Sequence, residues 1–257
     1  MSHALGTALA SRRAAGHKVL LAYLMAGSTP TWLETAAALV DAGVDALEVG
    51  LPFSDPIIDG PIIQEAATRA LAASTSVDSV VDALGTVELA VPLVAMTYCN
   101  VLLRRGYERS ARRLAEAGVT GSIVPDLALE ELDDWRTAAG ANGIETVLLA
   151  APATPPARLD AICARSEGFV YAVGRMATTG ETQQLDPRGI ALVASLRART
   201  SLPVCLGIGV STPAQAAQVC DAADGVVVGS AIVRRMLEGG SPSEVAAFVA
   251  SLREATN

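Results

Sequence analysis

Histidine, lysine and the aromatics are the scarce residues of this sequence. The only histidines are His3 and His17, and the lone lysine is Lys18; all three precede the first predicted strand. A Ser-His-Asp triad therefore lacks its histidine, and a barrel enzyme that uses a strand-end Lys or His lacks its base. The cysteines, Cys99, Cys163, Cys205 and Cys220, form no C-x-x-C pair. Neither a disulfide framework nor a structural zinc site is expected, and reduced thiols are. Aromatics make up 4% of the chain against 51% hydrophobic residues, so a large core must be built from Ala, Val, Leu and Ile, and intrinsic disorder is not expected. No apolar run reaches membrane-spanning length. The first basic residues follow the mild apolar stretch at the start of the chain, opposite to a secretory signal, so a cytoplasmic protein is expected. Cations are outnumbered, 19 Lys and Arg against 27 Asp and Glu, for a net charge of −8. That balance argues against nucleic acid or an anionic membrane as partner. It leaves room for a small phosphorylated ligand, which backbone N–H groups hold without net positive charge.

What is present is a regular alternation of short β-branched runs with longer Ala-rich amphipathic ones. Strands are predicted over Val19–Leu24, Ala46–Gly50, Pro92–Thr97, Ser122–Val124, Glu145–Leu149, Phe169–Val173, Val204–Leu206 and Val226–Val228. Each is followed by a predicted helix, and a further helix, about Leu5–Ala15, precedes the first strand. Eight such units in 257 residues, with no Pro/Gly linker dividing them, are the count for one α/β (β/α)8 TIM barrel with an extra N-terminal helix. Residues 1–257 read as a single catalytic domain. A doubly wound open sheet is the alternative. It needs a Gly-rich turn after the first strand, and Met25-Ala26-Gly27-Ser28 is a poor one. In A-G-V-D-A (Ala42–Ala46) and A-G-V-T-G (Ala117–Gly121), a helix is expected to end at Gly and a strand to begin shortly after. The long polar loops follow the second and sixth strands, at the strand ends where barrel active sites lie.

Three features carry chemistry. Glu48 interrupts a strand that should be buried on both faces, and by alternation it shares one side with the small Ala46 and Gly50. A carboxyl there reads either as a desolvated acid/base with a raised pKa or as one half of a structural ion pair. The loop Leu51–Pro61 holds three prolines and two aspartates, which makes it stiff. Asp55 reads as a turn former; Asp59 reads equally as a site residue or as the cap of a Pro-started helix. The glycine turns at Gly207–Ser211 and Gly229–Ser230 follow the last two strands, the common barrel phosphate position, although glycines also serve tight turns. Tyr23, Met96 and Tyr171 end strands and are placed either to line an aromatic ligand's pocket or to fill the core. The polar segment Gly174–Pro187 reads as a lid or as a surface loop.

The segment A-L-E-V-G-L-P-F-S-D-P-I-I-D-G-P-I-I-Q, Ala46 to Gln64, closely resembles the signature of the tryptophan-synthase α-chain family. The likeness continues through Met96–Asn100, Ile123–Leu127, Gly207–Ser211 and Gly229–Val233. It implies cleavage of indole-3-glycerol phosphate to indole and glyceraldehyde 3-phosphate, with neither cofactor nor metal, by a chain that partners a β chain. It further implies that Glu48 handles protons at the indole carbon and the glycerol hydroxyl, that Asp59 pairs with the indole N–H, and that Tyr171 stands near Glu48. Gly180, Gly209, Gly229 and Ser230 match phosphate-binding positions; Tyr23, Met96, Ile123 and Ile208 surround the indole; Arg175 and Thr179 belong to the lid. Four positions depart from the family pattern. Ala177 replaces a lid glycine, Ile58 a small residue before Asp59, and Val101 and Ala128 replace prolines. These segments lie on or near the surface that docks the β chain in the family, where Pro52, Asp55 and Asn100 are retained. A stand-alone indole-releasing lyase is the alternative this leaves open. A non-catalytic partner subunit and another phosphate-binding barrel enzyme are the remaining ones.

Overall fold

Strands of four to seven residues rich in Val, Leu and Ala expose unpaired backbone until they meet one another, and here they pair until no edge remains. A computed structural model describes residues 4–174, 176–179, 182–207 and 209–256 of the protein. Its eight parallel barrel strands are β1 (Val19–Met25), β2 (Ala46–Gly50), β3 (Leu93–Met96), β4 (Val119–Ile123), β5 (Glu145–Ala150), β6 (Val170–Val173), β7 (Val204–Gly207) and β8 (Gly225–Val228). They are arranged in chain order, and β1 pairs with both β2 and β8 to close the ring. The expected barrel is the one found.

The helices are α1 (Leu5–Ala14), α2 (Trp32–Asp41), α3 (Pro61–Ala72), α4 (Val77–Leu84), α5 (Cys99–Leu103), α6 (Tyr107–Glu116), α7 (Leu132–Gly140), α8 (Pro156–Arg165), α9 (Pro187–Arg197), α10 (Pro213–Ala222), α11 (Ser230–Leu237) and α12 (Pro242–Ala255). Helices α3, α8, α9, α10 and α12 open on proline, whose missing N–H has no helical partner in the first turn anyway. Gly43 and Gly118, with φ of 95° and 83°, make the left-handed exits expected of the two A-G-V turns.

Three elements differ from expectation. β4 begins at Val119 instead of Ser122, directly after the Gly118 turn, and its register with β3 is irregular there; Thr120 and Gly121 hide the strand pattern. Helix α5 is too short for a helical period to show. The polar loop after β6 contains an antiparallel hairpin, Met176–Thr179 against Thr182–Leu185, whose residues carry no apolar alternation to read.

The core has two layers. Leu47 and Val49 face outward with Leu20, Val204 and the apolar sides of the helices. Leu21, Ala46, Val94, Ile123, Val147, Cys205 and Val227 meet inside the barrel, joined by Leu5 and Leu9 of α1. Helix α1 thus plugs the N-terminal end of the barrel. Gly121 and Gly168 make room for it: a Cβ at either would fall 2.6 or 2.7 Å from Leu5 Cδ2. The Gly6 N–H donates to Glu145 Oε2 at 2.7 Å. Leu5→Ala is expected to lower stability by about 2–5 kcal/mol, since the glycine-lined seat cannot collapse onto the void. Urea or thermal unfolding measures this, and a loss below about 1 kcal/mol would contradict the plug.

Candidate active site

At the C-terminal end the barrel interior is open, with a cavity of about 280 Å³. With Leu47 and Val49 turned to the helices, β2 sends Glu48 inward, level with Tyr23 of β1 and Val94 of β3. Glu48 is 1% exposed, and its Oε2 has no hydrogen-bond partner among the described residues. The ion-pair reading of Glu48 therefore has no partner there to support it. Burial, and secondarily the charge of Asp59, push its carboxyl from 4.5 up to about 8. A group so tuned holds its proton at neutral pH and releases it in the range useful for acid–base transfer.

Asp59 lies in the loop between β2 and α3, half-buried over the cavity. The cap of α3 is Gly60, with no side-chain bond, so the helix-cap role is not the one Asp59 plays. Its backbone carbonyl accepts from Gln64 Nε2 at 2.9 Å, and its Oδ2 accepts from the Tyr98 hydroxyl at 2.9 Å. Tyr98 also accepts from the Ile58 N–H at 3.3 Å and stacks on Phe53 with centroids 5.0 Å apart. Burial raises the Asp59 carboxyl while the Tyr98 hydrogen bond works against that rise. Tyr98 is part of the Met96–Asn100 motif, but the motif gives it no role. The available signal is its spacing from Met96, which two-residue alternation turns toward the same mouth. Asp55, as expected of a turn former, is engaged locally, accepting from Ser54 Oγ at 2.5 Å.

The remaining site residues gather around these carboxyls. Tyr23 and Tyr171 are held well above the usual phenol range, first by burial and then by neighbouring charges that include Asp59 and Glu48, so both remain donors. Met96 and Ile123 line the cavity, joined by Pro125 and Leu149, which the sequence pattern did not single out. Gly209, Gly229 and Ser230 also line it, with Ser230 opening α11. Gly207 is required sterically, because a Cβ there would fall 2.4 Å from the Tyr171 hydroxyl. Thr179 lies on the first hairpin strand. Arg175, Gly180 and Ile208 lie outside the described residues. Among the described residues no group of three or more His, Cys, Asp or Glu is placed to hold a metal ion.

A closed (β/α)8 barrel whose mouth brings together a protonated carboxyl, a second carboxyl and a helix N-terminus defines a barrel enzyme built for acid–base chemistry. The family model for the tryptophan synthase alpha chain matches residues 9–256. The chain is 42% identical over 233 residues to the tryptophan synthase alpha chain of Carboxydothermus hydrogenoformans, spanning 89% of this chain and 87% of that one. It is 43% identical over 238 residues to that of Streptomyces coelicolor, with 91% and 88% covered. A solved tryptophan synthase from M. tuberculosis, in its aminoacrylate-bound form, superposes with a TM-score of 0.89 at 36% identity, covering 98% of this chain and 99% of that chain. The chain belongs to the tryptophan synthase α-chain family.

The raised Glu48 carboxyl has a consequence for stability. Between 4.5 and about 8 the folded state holds a proton that the unfolded state has released, so this group makes stability fall as pH rises through that window. Glu48→Gln removes the effect. The Tm advantage of Glu48→Gln over wild type is expected to grow from about pH 5 to about pH 8 and then level off. A difference that does not vary with pH would contradict a buried, protonated carboxyl.

Proposed function

We infer that this chain cleaves indole-3-glycerol phosphate to indole and glyceraldehyde 3-phosphate by a retro-aldol reaction, as a carbon–carbon lyase. The observation that carries the reading is Glu48: a buried carboxyl without an ion-pair partner among the described residues, facing a cavity shared with Asp59, in a chain of this family. The bond between ring and side chain breaks only after the ring carbon gains a proton and the neighbouring hydroxyl loses one. Glu48 enters protonated and gives its proton to the ring carbon. The resulting carboxylate takes the hydroxyl proton as the bonding electrons return to the ring, which restores the carboxyl and leaves an aldehyde. Asp59, whose anionic form burial disfavours and the Tyr98 hydrogen bond favours, acts as the anion that accepts from the ring N–H and stabilises the positive charge that develops there. Tyr171 donates beside Glu48.

Gly209, Gly229 and the N-terminus of α11 at Ser230 hold the phosphate in this scheme. Met96, Ile123, Pro125 and Leu149 wall the indole, and the hairpin bearing Thr179 serves as lid. The whole chain acts as one catalytic domain, located in the cytoplasm. Among the described residues no helix is long and apolar enough to cross a membrane. Ile57, Ile58 and Leu103 are exposed by 81%, 51% and 54%. They supply apolar surface for a β chain to cover, and no observation favours a stand-alone lyase instead.

Indole release from indole-3-glycerol phosphate, assayed with and without a β chain, tests the reading directly; no indole under either condition overturns it. Glu48→Gln is expected to lower turnover by at least about 10²-fold while substrate still binds, the scale of general acid–base catalysis. Asp59→Asn is expected to be comparably damaging, because an amide supplies no negative charge. Unchanged turnover in Asp59→Asn would remove the anion from the mechanism.

A further inference from the structure

Tyr23 occupies the cavity differently from its apolar neighbours. A Cβ placed on Gly229 would meet Tyr23 Cβ and Cδ1 at 3.4 Å, whereas one placed on Gly50 would fall 2.1 Å from the Tyr23 hydroxyl oxygen and 2.7 Å from Cζ. The base of the side chain therefore abuts the turn that opens α11, and its tip rests on β2. Gly50 is two residues beyond Glu48, on the same face of that strand. The phenol thus runs along the cavity from the glycine turn to the carboxyls, and the missing side chain at Gly50 is what admits its oxygen. A phenylalanine would give the same apolar floor without that clearance.

We propose that Tyr23, from its seat over Gly50, recognises the hydroxyl groups on the carbon chain that joins the substrate's phosphate to its ring, donating a hydrogen bond to one of them. The inference rests on the function proposed above. With a phosphate at Gly229 and Ser230 and a ring reaching Asp59, the connecting carbons lie over Tyr23. The titratable groups facing it are Asp59 in the loop before α3, Glu48 on β2, Tyr98 at the start of α5 and Tyr171 on β6; together with burial they hold the phenol neutral. The described lining of the cavity contains no Lys, Arg or His, so a phenol donor is a principal means of reading a hydroxyl there.

Two small ligands separate recognition from packing. Glycerol 3-phosphate and n-propyl phosphate differ only in hydroxyl groups, and their dissociation constants can be measured on the whole chain by NMR or calorimetry, without catalysis. Wild type is expected to prefer glycerol 3-phosphate by about fivefold or more, the worth of one net hydrogen bond. Tyr23→Phe is expected to reduce the preference below about twofold and leave n-propyl phosphate affinity unchanged. Gly50→Ala, which displaces the hydroxyl without removing it, is expected to reduce the preference likewise. A preference that is absent in wild type, or that survives Tyr23→Phe, overturns the proposal. So does an equal weakening of both ligands, which is what a purely structural tyrosine gives. A chain that keeps the Tyr23-dependent preference but releases no indole retains this inference and loses the functional reading; indole release without the preference does the reverse.

Discussion

The desolvation of one carboxyl group organises this molecule. Placing Glu48 inside an apolar barrel would cost several kcal/mol if it were ionised and unpaired, and the described cavity lining offers it no cation. The protein resolves the conflict by keeping the group protonated. The rest of the architecture preserves that condition. Helix α1 fills the N-terminal end of the barrel with Leu5 and Leu9, so the interior opens on one side only. The glycines at Gly50 and Gly207 give the two tyrosine rings room beside the carboxyl, where larger residues would displace them.

The second carboxyl meets a different environment because it sits on a loop instead of a strand. Asp59 is half-buried and accepts a hydrogen bond from Tyr98, which favours its anionic form; Glu48 is buried and its Oε2 has no hydrogen-bond partner among the described residues. Burial raises both carboxyls, but only Asp59 has a side-chain hydrogen bond that opposes the rise, and that difference in environment is the physical basis for giving them different roles. Tyr98 is the pivot of this division. It braces Asp59 through its hydroxyl and the Phe53 side of the same loop through its ring, so the stiffness expected from three prolines is completed by a residue from the next strand–helix connection.

Much of this was legible in the sequence because the relevant physics is local. A glutamate in an otherwise apolar five-residue strand, prolines at helix starts and glycines at helix ends all act within a few residues of themselves, and the barrel followed from counting them. What depends on contacts between distant segments was less legible. Tyr98 and Asp59 are 39 positions apart, and nothing in the immediate neighbourhood of Tyr98 announces the bond. The choice between helix cap and site residue at Asp59 was undecidable locally, since the deciding fact is that Gly60 takes the cap position. Gly207 reads in sequence only as part of a phosphate-type turn, because the tyrosine it accommodates belongs to another strand. The hairpin after β6 escaped for a different reason: polar four-residue strands have no hydrophobic period.

The central claim is that Glu48 is a neutral acid inside the folded barrel at physiological pH. It is tested most directly by titrating that carboxyl itself, following its 13C resonance in protein labelled at the glutamate carboxyl carbon and assigned by its loss in Glu48→Gln. The expected midpoint is near 8, far above the ordinary value of 4.5. A midpoint close to 4.5 would mean that Glu48 is ionised throughout the working range and would contradict the claim.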